Sequence, residues 1–208
     1  RGLVLPSDFI PIAEDSNLII EIGEWVLDKV CEDFRVWQRS VSSPGRVSVN
    51  LSLKQLRQLN FISRISSIMR GHEVSPTSLE LEITETTLIE NPERTIKMLD
   101  QLYSLGLHLA IDDFGTGYSS LSYLSRFPLD ELKIDRSFVK DIELNTSAKN
   151  LCAAIMSMAS SLGLSVTAEG VEKKEHLAIL KGMKIDKYQG FYMSKPISAN
   201  DFKAMLNK

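Results

Sequence analysis

The sequence predicts an α/β fold built on a parallel sheet, and three observations support that prediction. Strand-like and amphipathic runs alternate in β-then-α order six times along the 208 residues, the order that parallel strands with helical crossovers require. Polar residues collect where the strands end: Asn50, Glu82, Asp112 with Asp113, Lys133 with Asp135, Glu169 and Gln189 each stand at or just after a different strand. In a barrel and in an open doubly wound sheet alike, that edge binds ligands. Side-chain parity is the third observation. Leu81, Ile83, Ile111, Ile134, Val166 and Ala168 share one face, and Glu82, Asp112, Lys133 and Glu169 share the other. With the apolar set against helices, the polar set points into a barrel mouth.

Residues 1–14 carry Pro6 and Pro11 and little periodicity, so an ordered loop is expected. From Asn17 to about Arg39, Leu18, Ile22, Trp25, Val26, Val30, Phe34 and Trp37 recur at three and four, a long amphipathic helix with Asp15 or Ser16 as cap. Ser42-Ser43-Pro44-Gly45 breaks it, and residues 47–52 alternate as a strand. A helical pattern over 53–70, interrupted near Asn60, closes at Gly71, and 79–84 alternate again. Asn91 and Pro92 give cap and first-turn proline for a helix to Leu105, stopped by Gly106. A strand over 107–112, a helix from about Ser119 to Arg126, a short strand over 132–135 and a brief helix from Arg136 lead to a polar loop around Asn145. Residues 147–162 read as helix, 164–169 as strand, 172–181 as helix and 186–191 as a last strand, with Ser198 to Asp201 opening a final helix.

Bulk properties narrow the function. The chain carries 24 basic and 27 acidic residues, a formal charge of −3, with no basic block; this excludes a nucleic-acid polymer as partner. No apolar run approaches the ~18 residues of a membrane span and no signal peptide stands at the start, so a cytoplasmic domain is expected, in a parent that could itself be membrane-tethered. Cys31 and Cys152 fall inside apolar helical patterns without metal spacing and read as reduced core residues.

Two adjacent carboxylates at a buried strand end, Asp112 and Asp113, need a compensating cation. With Glu82, Glu169 and the amide of Asn50 they form an all-oxygen ligand set, which selects Mg²⁺ or Mn²⁺, with Ca²⁺ binding without supporting turnover. Two ions ~4 Å apart suit attack on a phosphodiester or other phosphate ester, with Lys133 orienting the water or offsetting charge. Glu80 and Asp141 read as surface charges, and Gly115-Thr116-Gly117 as a turn rather than a phosphate cradle. His72, His108 and His176 have no catalytic or metal spacing, while Met98, Met156 and Met158 fit helix packing.

These residues also resemble a family. Residues 112–121 (DDFGTGYSSL), with Asn50-Leu51-Ser52, Glu82-Ile83-Thr84-Glu85, Leu132-Lys133-Ile134-Asp135, Ala168-Glu169-Gly170-Val171-Glu172 and Gln189-Gly190, are similar to the bacterial EAL domain, and the likeness spans residues 1–208. It implies a TIM-type (β/α) barrel that hydrolyses cyclic di-GMP to linear pGpG with Mg²⁺ or Mn²⁺. It makes Asn50, Glu82, Asp112, Asp113 and Glu169 metal ligands, Lys133 the water-orienting lysine and Glu85 the acid that holds the 113–120 loop. Gln189 becomes a further active-site residue, and Phe9, Ile10, Pro11 and Asp135 line the nucleotide. It also implies a homodimer and an upstream regulatory domain. The namesake Glu-Ala-Leu triplet, which supplies a further ligand and the first barrel strand, is not among these residues. The expectation is an EAL domain lacking its first strand, with weak or no hydrolysis by this chain alone and hydrolysis in a longer parent that supplies the missing glutamate. A non-catalytic cyclic di-GMP receptor or a protein-interaction module is the alternative.

Overall fold

Six parallel strands set the frame: β1 Val47–Asn50, β2 Leu79–Thr84, β3 His108–Phe114, β4 Glu131–Ile134, β5 Ser165–Ala168 and β6 Lys187–Tyr188. The computed structural model describes residues 2, 4–41, 44–117 and 121–207. The strands pair strictly in chain order. A doubly wound sheet reverses its order partway, whereas a barrel wall does not, so the order decides between the two parallel architectures. Side chains from β1, β2, β4, β5 and β6 line one common cavity, which means that the sheet curls into a half-barrel. Among the described residues β1 and β6 do not pair with each other.

The parity read from the sequence holds. Leu79, Leu81, Ile83, Leu109, Ile111, Leu132, Ile134, Val166 and Ala168, all 3% exposed or less, face the helices. Each fully buried large aliphatic side chain contributes roughly 1.5–3 kcal/mol of burial free energy. The helices are α1 Pro6–Asp15, α2 Leu18–Gln38, α3 Leu53–Leu56, α4 Phe61–Gly71, α5 Glu85–Glu90, α6 Pro92–Ser104, α7 Leu121–Leu124, α8 Arg136–Val139, α9 Thr146–Ser161, α10 Lys174–Gly182 and α11 Ala199–Leu206. Leu27, Cys31 and Phe34 of α2 and Cys152 of α9 join the core, and both cysteines are free thiols. Among the described residues no helix is long and apolar enough to cross a membrane.

Several expectations need correction. Residues 6–15 are helix, not loop: Pro6 occupies the first helical position, where the missing N–H has no partner to lose, and one interior bond forgone at Pro11 is tolerated. Neither Asp15 nor Ser16 caps α2. Asn17, in the left-handed region at φ 63°, stands there instead, and Ser16 Oγ donates back to the Ile12 carbonyl at 2.7 Å. Helix α5 was not foreseen, because its six residues are too few to show a period. Strand β3 runs two residues further than expected, and β6 is only two residues long. Tyr118, Ser119 and Ser120, read as a Ser-capped helix start, and Ser42 and Ser43 of the expected breaker lie outside the described residues.

Candidate active site

The pairing of β3 with β4 builds the site. Ile111 stands opposite Leu132 and Phe114 opposite Ile134, so Asp112 and Asp113 together stand opposite Lys133 alone. This is a β-bulge. In a regular strand neighbouring side chains point to opposite faces, and only one of the two aspartates would reach the barrel mouth. Asp113 instead adopts φ 53°, a left-handed conformation that aspartate tolerates better than most residues. The result is that carboxylate oxygens of Asp112, Asp113 and Glu169 all lie within 4.8 Å of one another.

Lys133 lies among them, 3% exposed. Its Nζ is 2.6 Å from Glu169 Oε1, 2.7 Å from Glu82 Oε1 and 3.2 Å from Asp112 Oδ1. Burial opposes the ammonium charge, but the Glu82 and Glu169 carboxylates outweigh it and hold the Lys133 pKa above the usual lysine range. Burial also raises Glu82, Glu169 and Asp113; Lys133 pulls each back and neighbouring carboxylates, Asp112 among them, push each up again. One ammonium against four carboxylates leaves excess negative charge at a buried edge. Asp112 Oδ1 is buried and without a hydrogen bond, its contact with Lys133 falling outside hydrogen-bonding geometry. An unsatisfied buried carboxylate oxygen within an all-oxygen donor set fits a hard divalent cation.

Other candidates surround this centre at different depths. Glu82 is joined to the three-carboxylate group through Lys133. Asn50 is its register partner on β1. With Asp113, Thr84, Phe9, Ile10 and Glu14, Asn50 lines an open cavity of about 670 Å³ that runs along α2; exposed Pro11 is not among its walls. Gln189 shares a second cavity, about 400 Å³ inside the half-barrel, with Glu82 and Lys133. Asp135 caps α8, accepting from Ser137 N at 3.0 Å, and helps push the Asp113 pKa up. Glu85, 2% exposed at the start of α5, accepts from Gly115 N at 3.0 Å and Gly117 N at 3.1 Å. A Cβ on Gly117 would lie 2.9 Å from the Glu85 carboxyl, so glycine is what lets the loop approach.

Glu80 corrects the sequence reading: it is 4% exposed, not a surface charge. Its carboxylate accepts from Ser48 Oγ at 2.7 Å and pairs with Arg46 at 3.3 Å inside the half-barrel. Its period-two spacing from Glu82 was the available signal. Glu131, not singled out in the sequence, is equally buried and bonded to Thr167 and Lys187. Asp141 is exposed as expected, and Met98, Met156 and Met158 pack against the core.

A family model described as EAL domain matches residues 1–196. The bifunctional diguanylate cyclase/cyclic di-GMP phosphodiesterase MucR of Pseudomonas aeruginosa is 36% identical over 206 residues, 99% of this chain and 30% of that protein. The cyclic di-GMP phosphodiesterase PdeR of Escherichia coli is 40% identical over 202 residues, 97% of this chain and 30% of that protein. The solved PaMucR phosphodiesterase, a c-di-GMP complex, matches with a TM-score of 0.93 at 36% identity, covering 97% of this chain and 81% of that one. Klebsiella pneumoniae BlrP1, solved as a calcium/cyclic di-GMP complex, matches with a TM-score of 0.74 at 29% identity, over 85% of this chain and 43% of that one. The chain thus spans under a third of the curated relatives MucR and PdeR. A bulged strand of paired aspartates, a buried lysine among carboxylates and the match over 1–196 lead to one conclusion: the chain belongs to the EAL domain family.

Proposed function

We propose that this domain hydrolyses cyclic di-GMP to linear pGpG with two divalent cations, Mg²⁺ or Mn²⁺. The observation that carries this reading is the bulge that brings Asp112 and Asp113 to the same mouth as Glu169. The names of MucR, PdeR and the MucR nucleotide complex support the substrate. Asp112, Asp113 and Glu169, with Glu82 and Asn50, would hold the cations, which would polarise a phosphoryl oxygen and make water a nucleophile at neutral pH. Lys133 orients the attacking water and offsets charge gathering on phosphorus oxygens. Water oxygen joins phosphorus, the bond to the 3′ oxygen breaks, and that oxygen leaves with a proton. Glu85 fixes the 115–117 turn beneath the substrate, while Phe9, Ile10 and Pro11 with Asp135 and Gln189 line the nucleotide. Ca²⁺ would bind the same donor set without supporting turnover. A homodimer joined through helices near the 112–120 loop, and the further glutamate that the resemblance places ahead of Arg1, complete the reading. Incubation with cyclic di-GMP and Mn²⁺, of this chain and of the protein carrying that further segment, tests it; pGpG is the expected product. Tight nucleotide binding with no product from either would make the domain a receptor instead.

A further inference from the structure

Helix α1 forms the Phe9–Ile10 wall of the larger cavity, yet little of it is buried. Ala13 is its buried residue, Pro11 removes one of its hydrogen bonds, and its ten residues fall short of the roughly 12–15 that an isolated helix needs. Asn17, at φ 63°, breaks it from α2. Helix α2 packs beside it, and α3 adds a polar hold. Lys54 donates from Nζ to the Glu14 carbonyl in the last turn of α1 and to Asn17 Oδ1 at 2.9 Å. The last carbonyls of a helix carry partial negative charge; Glu14 O already accepts from Asn17 N at 3.1 Å, and the ammonium adds a second donor and the opposite charge.

Lys54 is itself anchored. Ser52 Oγ accepts from Gln55 N at 3.3 Å and Gln55 Oε1 accepts from Ser52 N at 3.2 Å, a capping box. The 3% exposed Gln55 side chain fills the space beside Gly23 of α2, where a Cβ would meet it at 1.9 Å. Asn50 stands four residues before Lys54 on this same connection. One short rigid segment therefore carries the proposed ligand at one end and the hook on α1 at the other.

We infer that Lys54 is a positioning residue: by capping α1 it sets the Phe9–Ile10 wall against the Asn50–Asp113 end of the cavity. It thereby tunes affinity for the flat, apolar face of the substrate without touching the reacting phosphate. This rests on the proposal above that Phe9 and Ile10 line the nucleotide.

The test compares wild type, Lys54→Met and Lys54→Arg by amide hydrogen exchange and by steady-state kinetics on cyclic di-GMP with Mn²⁺. In Lys54→Met, α1 amides should exchange about tenfold faster while the strands keep their protection. KM should rise about fivefold with kcat within about twofold, the signature of lost binding rather than lost chemistry. Lys54→Arg, which keeps the cation, should restore both. Unchanged α1 exchange in Lys54→Met overturns the inference, as does faster exchange with KM unmoved or with kcat falling in parallel. A wild type with no turnover sinks the proposed function alone. The exchange comparison still decides whether Lys54 holds α1, with nucleotide affinity in Ca²⁺ standing in for KM.

Discussion

Asp113 concentrates the residue-scale account. Its backbone is strained, its pKa is raised by burial and by Asp112 and Asp135, and such costs persist where function needs them. Asp113→Asn should cut turnover on the order of a thousandfold or more, while melting without metal stays level or rises, since a repulsive charge is gone. A large loss of melting temperature in EDTA would count against that assignment. Lys133 should behave in the opposite way. Lys133→Met leaves Glu82, Asp112 and Glu169 without their ammonium and should destabilise the metal-free protein by roughly 3 kcal/mol at neutral pH. A buried carboxylate whose pKa is raised costs stability above that pKa, and the cost fades as pH falls. The variant should therefore recover stability as pH falls from neutral through the raised Glu82 and Glu169 pKa values, and denaturant titrations at a series of pH values would reveal it. The sequence singled out the aspartate pair, and the structure gathers both carboxylates with that of Glu169. The sequence did not reveal the bulge, because nothing in His108–Phe114 says which aspartate turns left-handed. Glu80 was misread because charge was weighed ahead of its period-two spacing from Glu82.

At the scale of elements, α5 and the turn after β3 act as one piece through Glu85. Glu85→Ala removes the acceptor for Gly115 and Gly117, and Gly117→Ala forces the same carboxyl aside. Both variants should lower kcat about 10- to 100-fold with folding retained, and both should quicken amide exchange in residues 115–117. Normal kcat in either would reduce Glu85 to a structural cap. The short β4, β5 and β6 depend on a different tie, Glu131 bonded across to Thr167 and Lys187. Burial pushes Glu131 up, but Lys187 and Thr167 outweigh it and hold its pKa below the usual range. Its contribution is present above the unfolded pKa, about 4.3 for glutamate, and is lost as pH falls through the lower folded value. Glu131→Gln should flatten that acid limb of the stability curve. Long elements such as α2 and α9 were legible because their periods repeat. Helix α1 was hidden by two prolines and α5 by its length of six residues, while β6, expected over 186–191, is shortened to two residues.

For the whole molecule, strand order carries the architecture. A sheet running β1 to β6 without reversal wraps its polar face inward, so one wall presents Glu82, Lys133 and Glu169 while its back buries the aliphatic core. The alternation of strands and helices announced the parallel sheet, but only the pairing order separates barrel wall from doubly wound sheet. The same curl explains why buried charges such as Glu80 and Glu131 are tolerated: each meets a cationic partner across the interior. The claim that joins these scales is that the wall assembles a phosphodiesterase centre from oxygen ligands. Chromatographic assay of cyclic di-GMP hydrolysis with Mn²⁺, comparing wild type and Asp113→Asn of the full-length protein, tests it most directly. The wild type should give pGpG, the variant none above background, and neither should give any when Ca²⁺ replaces Mn²⁺. Equal pGpG from wild type and variant, or none from the wild type at any enzyme concentration, would contradict it.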